Sequence, residues 1–301
     1  MQQNLLLQFT IFTLIAVGFL VRKLNLVSEQ GQKGLTNLVV YVILPANSLR
    51  AFFVADLSVV KSQGLWVLGI SIAIQIFGSF YSRLVFRRET EAQKKSLRLA
   101  TICSNSGFLG NPLAEGIYGA DGLSLANIYV TPVRVILWSA GLAIFTGSHD
   151  WKASLKKTLT HPCILAILLG VPGMLLRLQL PELLMKPLTA LSNCNTAASM
   201  MVIGMILSRV QPKELLDKSV LHYALHRLII IPAIVYAACL PLPISPMARG
   251  LCVILAAMPA PANTSILADM YNQDPLYATR LVVVSTLLSI PTTAIWCAIL
   301  T

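Results

Sequence analysis

Two short polar interruptions of long apolar runs hold the residues best suited to chemistry in this chain. The first, SNSGFLGNPL (104–113), contains Asn105, Gly110, Asn111 and Pro112; the second, MPAPANTSI (258–266), contains Pro259, Pro261, Asn263 and Thr264. Proline removes a backbone donor and clashes with the preceding turn, costing about 3 kcal/mol or more inside a regular helix. Hydrocarbon supplies no water to the freed carbonyls, so unwound backbone survives there only against protein or a wet cavity. The runs Gly110, Asn111, Pro112 and Pro259, Pro261, Asn263 therefore predict two discontinuous helices broken near mid-membrane. Crossed half-helix N-termini carry bare N–H groups and partial positive charge, which makes a site for an anion. Asn105, Asn111, Asn263 and Thr264 both donate and accept hydrogen bonds, so they either orient a carboxylate or satisfy the carbonyls the prolines free. Ordinary proline kinks are the plainer alternative.

Ionisable groups inside apolar runs are costly and mark function or pairing. Arg134 either attracts a substrate carboxylate or pairs with Glu115, one turn beyond Asn111. Asp269 either takes up a coupling proton or serves an interfacial role, such as a salt bridge to Arg280. His222 and His226 share one helix face with Arg227 beside them, a spacing that suits a metal or a proton relay. No third ligand accompanies them, so they read as an interfacial polar cluster and no metal is expected. A nucleophile–base pair, an HExxH motif and a carboxylate dyad are all missing, so the chain is not read as an enzyme. The six cysteines lack CxxC spacing and read as buried fillers.

The elements that must position these residues are membrane spans. The chain has 301 residues, is 56% apolar and only 12% charged, against about 25% charged for a soluble domain. Its mean hydropathy is +0.73. Those values exclude a soluble enzyme, a disordered chain and a cytosolic nucleic-acid binder, despite a net charge of +11. Ten apolar stretches of membrane-crossing length emerge, at 4–21, 34–55, 63–86, 96–118, 123–146, 162–180, 184–208, 219–240, 247–270 and 276–300. With the N-terminus outside, the inner loops collect most of the Lys and Arg, among them Arg22, Lys33, Arg83, Arg98, Lys152, Lys156, Lys157, Arg209 and Lys213. The outer loops hold only Arg50, Lys61, Arg177, Lys186 and Arg249, so both termini are expected outside. The basic stretch 83–98 reads as a topology anchor and anionic-lipid contact, not a nucleic-acid site. The first span lacks a basic leader and a cleavage site, so it is expected to be retained.

A repeat supports this organisation. YGADGL follows the fourth span and YNQDPL the ninth, with Tyr118, Asp121 and Leu123 matching Tyr271, Asp274 and Leu276 at one constant offset close to half the chain. Five spans per half is odd, so the second half enters the membrane from the opposite side, giving an inverted repeat divided as 1–147 and 148–301.

The sequence resembles a bacterial member of the auxin efflux carrier family of secondary transporters over essentially its whole length. The resemblance rests on NSGFLGNPL (105–113) with IYG (117–119), HPCILAILLG from His161, HRLIIIP (226–232), MPAPANTSILADMY (258–271) and VVVSTLLSIP (282–291). His161 stands where the family's usual asparagine opens the sixth span, and SNCNTAASMMVIG (192–204) lacks a proline found in many members. The resemblance implies an all-α polytopic protein of ten helices with the fold of the sodium and bile acid symporters. Helices one, two, six and seven would form a scaffold and homodimer contact, and helices three, four, five, eight, nine and ten a mobile transport domain. It further implies a carrier of small organic anions in the bacterial cytoplasmic membrane, with the site at the crossover of helices four and nine and no metal or cofactor. A sodium- or proton-coupled symporter of another solute, or a sensor retaining the carrier fold, are the alternatives.

Overall fold

The structure, a computed structural model, describes residues 2–146, 159–208 and 217–300, and all regular elements among them are helical. The expected boundary at 147/148 and the loop cations Lys152, Lys156, Lys157, Arg209 and Lys213 lie outside the described residues. In chain order the helices are α1 (Gln2–Lys23), α2 (Glu29–Val54), α3 (Leu57–Val85), α4 (Glu91–Ile102) and α5 (Asn111–Ile136). They continue as α6 (Pro162–Leu175), α7 (Glu182–Leu207), α8 (Lys218–Cys239), α9 (Pro246–Ala256), α10 (Asn263–Met270) and α11 (Pro275–Leu300).

Local chemistry explains where they start. Ser28, Asp56, Asp217 and Ser245 accept hydrogen bonds from the first-turn N–H groups of α2, α3, α8 and α9. Thr90 and Gln93 close a reciprocal capping box on α4. Among the described residues, six helical runs have the length and composition to cross a membrane. Large apolar side chains such as Leu65, Phe80, Leu84 and Leu183 stand exposed, which water would penalise and lipid does not. The protein is an all-helical, multi-pass membrane protein.

Four wide π turns occur among the described residues, at Val39–Ile43, Ser106–Gly110, Leu137–Gly141 and His226–Ile230. All but Leu137–Gly141 end two residues before a proline, at Pro45, Pro112 and Pro232. A proline ring collides with the carbonyl four residues earlier. The wider turn moves that carbonyl aside, so the helix runs on without breaking. Pro112 is thus absorbed, and the interruption expected at Gly110, Asn111 and Pro112 lies instead at 103–105, where Cys103 is extended and Asn105 has left helical geometry. The second interruption, between α9 and α10, does contain Pro259 and Pro261.

The matched YGADGL and YNQDPL segments share a backbone feature. The residue after each tyrosine is left-handed, Gly119 at φ 66° and Asn272 at φ 50°. At ψ −153° Gly119 occupies a region open essentially to glycine alone, and the chain turns there between the fourth and fifth spans without a loop. The aspartates differ: Asp274 caps α11 through the Tyr277 N–H, whereas Asp121 accepts from the Asp56 N–H.

Helix α1 packs on α7 at backbone contact distance. A Cβ on Gly204 would meet the Ile15 carbonyl oxygen at 2.0 Å, and one on Gly18 the Met201 oxygen at 2.2 Å. Small residues that let backbones touch are the usual means of joining helices in lipid.

Candidate functional site

The two interruptions meet. The Asn105 N–H donates to the Pro259 carbonyl at 2.8 Å, Ser104 Oγ to the Leu255 carbonyl, and the Ala260 N–H to Ser285 Oγ on α11. Two unwound strands deep in the protein thereby satisfy part of each other's backbone, as hydrocarbon requires.

A buried cation completes the junction. Arg227, 1% exposed, donates from Nε to the Met258 carbonyl and from Nη1 to the Thr101 carbonyl, both at 2.9 Å. Thr101 lies in the last turn of α4 and Met258 two residues beyond α9, so one guanidinium serves the negative ends of two helix dipoles. Sequence reading grouped Arg227 with His222 and His226 as an interfacial cluster. The structure corrects this for the arginine alone, because successive helix residues point about 100° apart, which turns Arg227 inward while His226 stays at the edge. His222 is exposed, His226 accepts or donates a bond with the Tyr81 hydroxyl, and both stack on Phe86. The available signal was the arginine inside an apolar run; its partners are carbonyls remote in sequence.

Beside the crossover is a cavity of about 250 Å³ between α2, α7, α10, α11 and the π turn after the first interruption. Asn105 and Phe108 line it from the first interruption, and Ala262 and Asn263 from the head of α10, which no side chain caps. Thr36, Asn37, Thr279 and Thr286 add neutral polar groups, while Val40, Val202, Ile203, Ile206 and Val282 form apolar walls. Among the described residues Lys33 is the one charged side chain lining this cavity, and it stands at the exposed mouth beside Glu29 at 3.3 Å. An exposed i,i+4 pair of that kind is weak and easily exchanged for another anion.

Other predicted residues divide around this cavity. Thr264 is fully buried between Asn263 and Ser265, its hydroxyl oxygen without a partner among the described residues. Gly110, Asn111 and Pro112 face away from the cavity. A Cβ on Gly110 would strike Leu255 at 2.5 Å, and Asn111 donates to Asn127, which also accepts from Ser48. Arg134 is 9% exposed, with Nη2 facing Gly107 and Nη1 unpartnered among the described residues. It does not line the cavity. His161, at the head of α6, accepts from the Cys163 N–H and lies against Tyr41. Asp269 is exposed on the last turn of α10, away from the crossover.

The expected Arg134–Glu115 alternative is overturned. Glu115 pairs with Arg50 at 3.5 Å and accepts from Asn47 at 3.1 Å, because α2 lies against this turn of α5. Asn47 also donates to Ser192 and accepts from Asn195 on α7. A polar layer thus joins α2, α5 and α7 at the end opposite Lys33, where Asp121 also accepts from the Asp56 N–H. No group of metal-binding side chains occurs among the described residues. None of the six cysteines forms a disulfide; five of them are buried, and Cys194 is exposed.

Residues 7–297 match the family model described as membrane transport protein. An uncharacterised transporter of Methanocaldococcus jannaschii is 25% identical over 95% of both chains. One from Methanothermobacter thermautotrophicus is 27% identical over 54% of each.

Proposed function

The chain belongs to the membrane transport protein family, that of the auxin efflux carriers, and from that premise we propose that it is a secondary carrier of small organic anions. One observation carries the substrate class: the cavity beside the crossover has apolar walls, amide and hydroxyl groups, the positive end of a helix and, among the described residues, no charged side chain except the cation at its mouth. A carboxylate on an apolar body fits those features. Its charge meets the Asn105 and Asn263 amides and the positive dipole end of α10, and its body meets Val202, Ile203 and Val282.

The ten spans of the inverted repeat then divide at this cavity. Helices α1, α2, α6 and α7 act as the fixed scaffold, and through it two copies pair. The remaining helices move as the transport domain, carrying the crossover. The cavity opens beside Lys33, on the side rich in Lys and Arg, and the Glu115, Arg50 and Asn47 layer closes the other side. This is the inward-open arrangement of a protein in the cytoplasmic membrane with both termini outside. Displacing the transport domain toward the outside breaks that layer and opens the site there.

Counterflow in proteoliposomes tests the reading. Labelled malate, malonate or indole acetate is expected to exchange, with unlabelled carboxylates competing. Asn105→Ala is expected to raise KM about tenfold by removing one hydrogen bond to a charged group. Exchange of neutral or cationic solutes, with none of the carboxylate panel, refutes the substrate class.

A further inference from the structure

A second basic feature lies away from the crossover, where α3 ends and α4 begins. A cavity of about 280 Å³ is lined there by Arg83, Arg87, Lys94, Lys95, Arg98 and a single carboxylate, Glu91. Glu91 bonds Lys94 at 2.8 Å, and its side chain is 85% exposed, so it neutralises one cation from the solvent side. Arg83, Arg87, Lys95 and Arg98 have no carboxylate within ion-pair distance among the described residues. The charges of Arg83 and Arg98 oppose each other, and Arg98 Nε is buried without an acceptor among the described residues. Five cations around one hollow outnumber the lone carboxylate among its described lining residues, and their repulsion is relieved when an anion fills it. The forked guanidinium donors of Arg83, Arg87 and Arg98 match tetrahedral phosphate oxygens.

A neighbouring stripe shows which phosphate. Ile72, Ile76, Phe80 and Leu84 recur every fourth residue along α3 and are 44%, 55%, 61% and 70% exposed. Residues at that spacing share one helix face, so the stripe runs up α3 from the level of Arg83 and offers an acyl chain a continuous apolar track. We propose that the Arg83, Arg87, Lys94, Lys95 and Arg98 cavity binds the phosphate headgroup of an anionic membrane lipid, whose acyl chains lie along Ile76, Phe80 and Leu84. The bound headgroup joins the end of α3 to the start of α4, the half-helix that leads directly into the first interruption. An inner-leaflet anionic lipid therefore braces the half-helix that leads to Asn105. This site stands independently of the substrate assigned to the crossover.

The test is melting of the purified full-length protein in neutral detergent, titrated with phosphatidylglycerol, phosphatidylcholine or inorganic phosphate at constant ionic strength. Phosphatidylglycerol is expected to raise the melting temperature saturably, and phosphatidylcholine to leave it unchanged. At about tenfold or less per basic residue near the surface, the R83Q/R98Q double variant is expected to need roughly thirtyfold more phosphatidylglycerol for half the shift. K94Q/K95Q provides the same comparison if that variant does not fold. K61Q, which removes a cation at the opposite membrane face, is expected to respond as wild type. Equal shifts with phosphatidylcholine, or unchanged phosphatidylglycerol dependence in the double variants, overturn the site. A full shift with inorganic phosphate alone overturns the lipid as its occupant.

Discussion

Replacing Arg227 with methionine keeps an unbranched side chain of similar reach and removes the charge and every donor. In the structure the guanidinium bonds the Thr101 and Met258 carbonyls, and Arg227 is 1% exposed, so water does not replace those bonds. Each carbonyl left unsatisfied costs about 1–3 kcal/mol, or about 2–6 kcal/mol for the pair. Against this stands the relief of no longer burying a cation, which offsets part of the loss. A net destabilisation of about 2–4 kcal/mol remains, corresponding to a fall of about 5–12 °C in melting temperature on the scale of soluble domains. Arg227→Lys retains the charge but a single ammonium in place of the fork, so it is expected to lie between wild type and Arg227→Met. The assay is intrinsic-fluorescence melting of each variant, purified in one detergent and shown monodisperse beforehand. The reasoning places the crossover's stability in the two arginine–carbonyl bonds. An Arg227→Met protein melting within a degree or two of wild type would refute it.

Further expectations follow from the sealed end and the helix contacts. Glu115→Gln removes the charge facing Arg50, a pair only 22% and 28% exposed and worth about 1 kcal/mol, and is expected to shift the outward-open population about fivefold. The readout is labelling of a cysteine placed at Ser192 by an impermeant maleimide added outside; unchanged labelling counts against the layer as a gate. Gly204→Ala puts a Cβ 2.0 Å from the Ile15 carbonyl oxygen and is expected to lose about 1–3 kcal/mol or more through separation of α1 from α7. Gly119→Ala meets no neighbour within 4 Å yet is strained by its φ of 66°, and is expected to cost about 1–3 kcal/mol. Melting measurements decide both, and a wild-type Gly119→Ala protein would mean that the turn relaxes without penalty.

Much of the fold was legible because the pressures that create it act along contiguous sequence. A run of apolar residues between polar segments has to become a helix in hydrocarbon, since only internal bonds satisfy its backbone. Hence the apolar helices and the prolines at 259 and 261 in the second interruption. Asn105 and Asn263 were likewise identifiable as polar residues flanking the interruptions, and both line the cavity. The location of the first interruption was not, because a proline signals strain without specifying how it is relieved. A π turn at Ser106–Gly110 accommodates Pro112, and the unwound segment lies at 103–105, where Pro259 accepts the Asn105 N–H.

The sequence by itself determined that this chain is helical, crosses a membrane repeatedly, contains two interrupted segments and belongs with transport proteins. The tertiary structure alone decided which charges meet: Arg227 with Thr101 and Met258, Glu115 with Arg50, and Arg134 with neither. Helix periodicity and backbone hydrogen bonding act within a few residues, so they are written in sequence spacing. A buried charge instead selects its partner by distance in space, and residues 31 to 126 positions apart become neighbours only once the helices have packed.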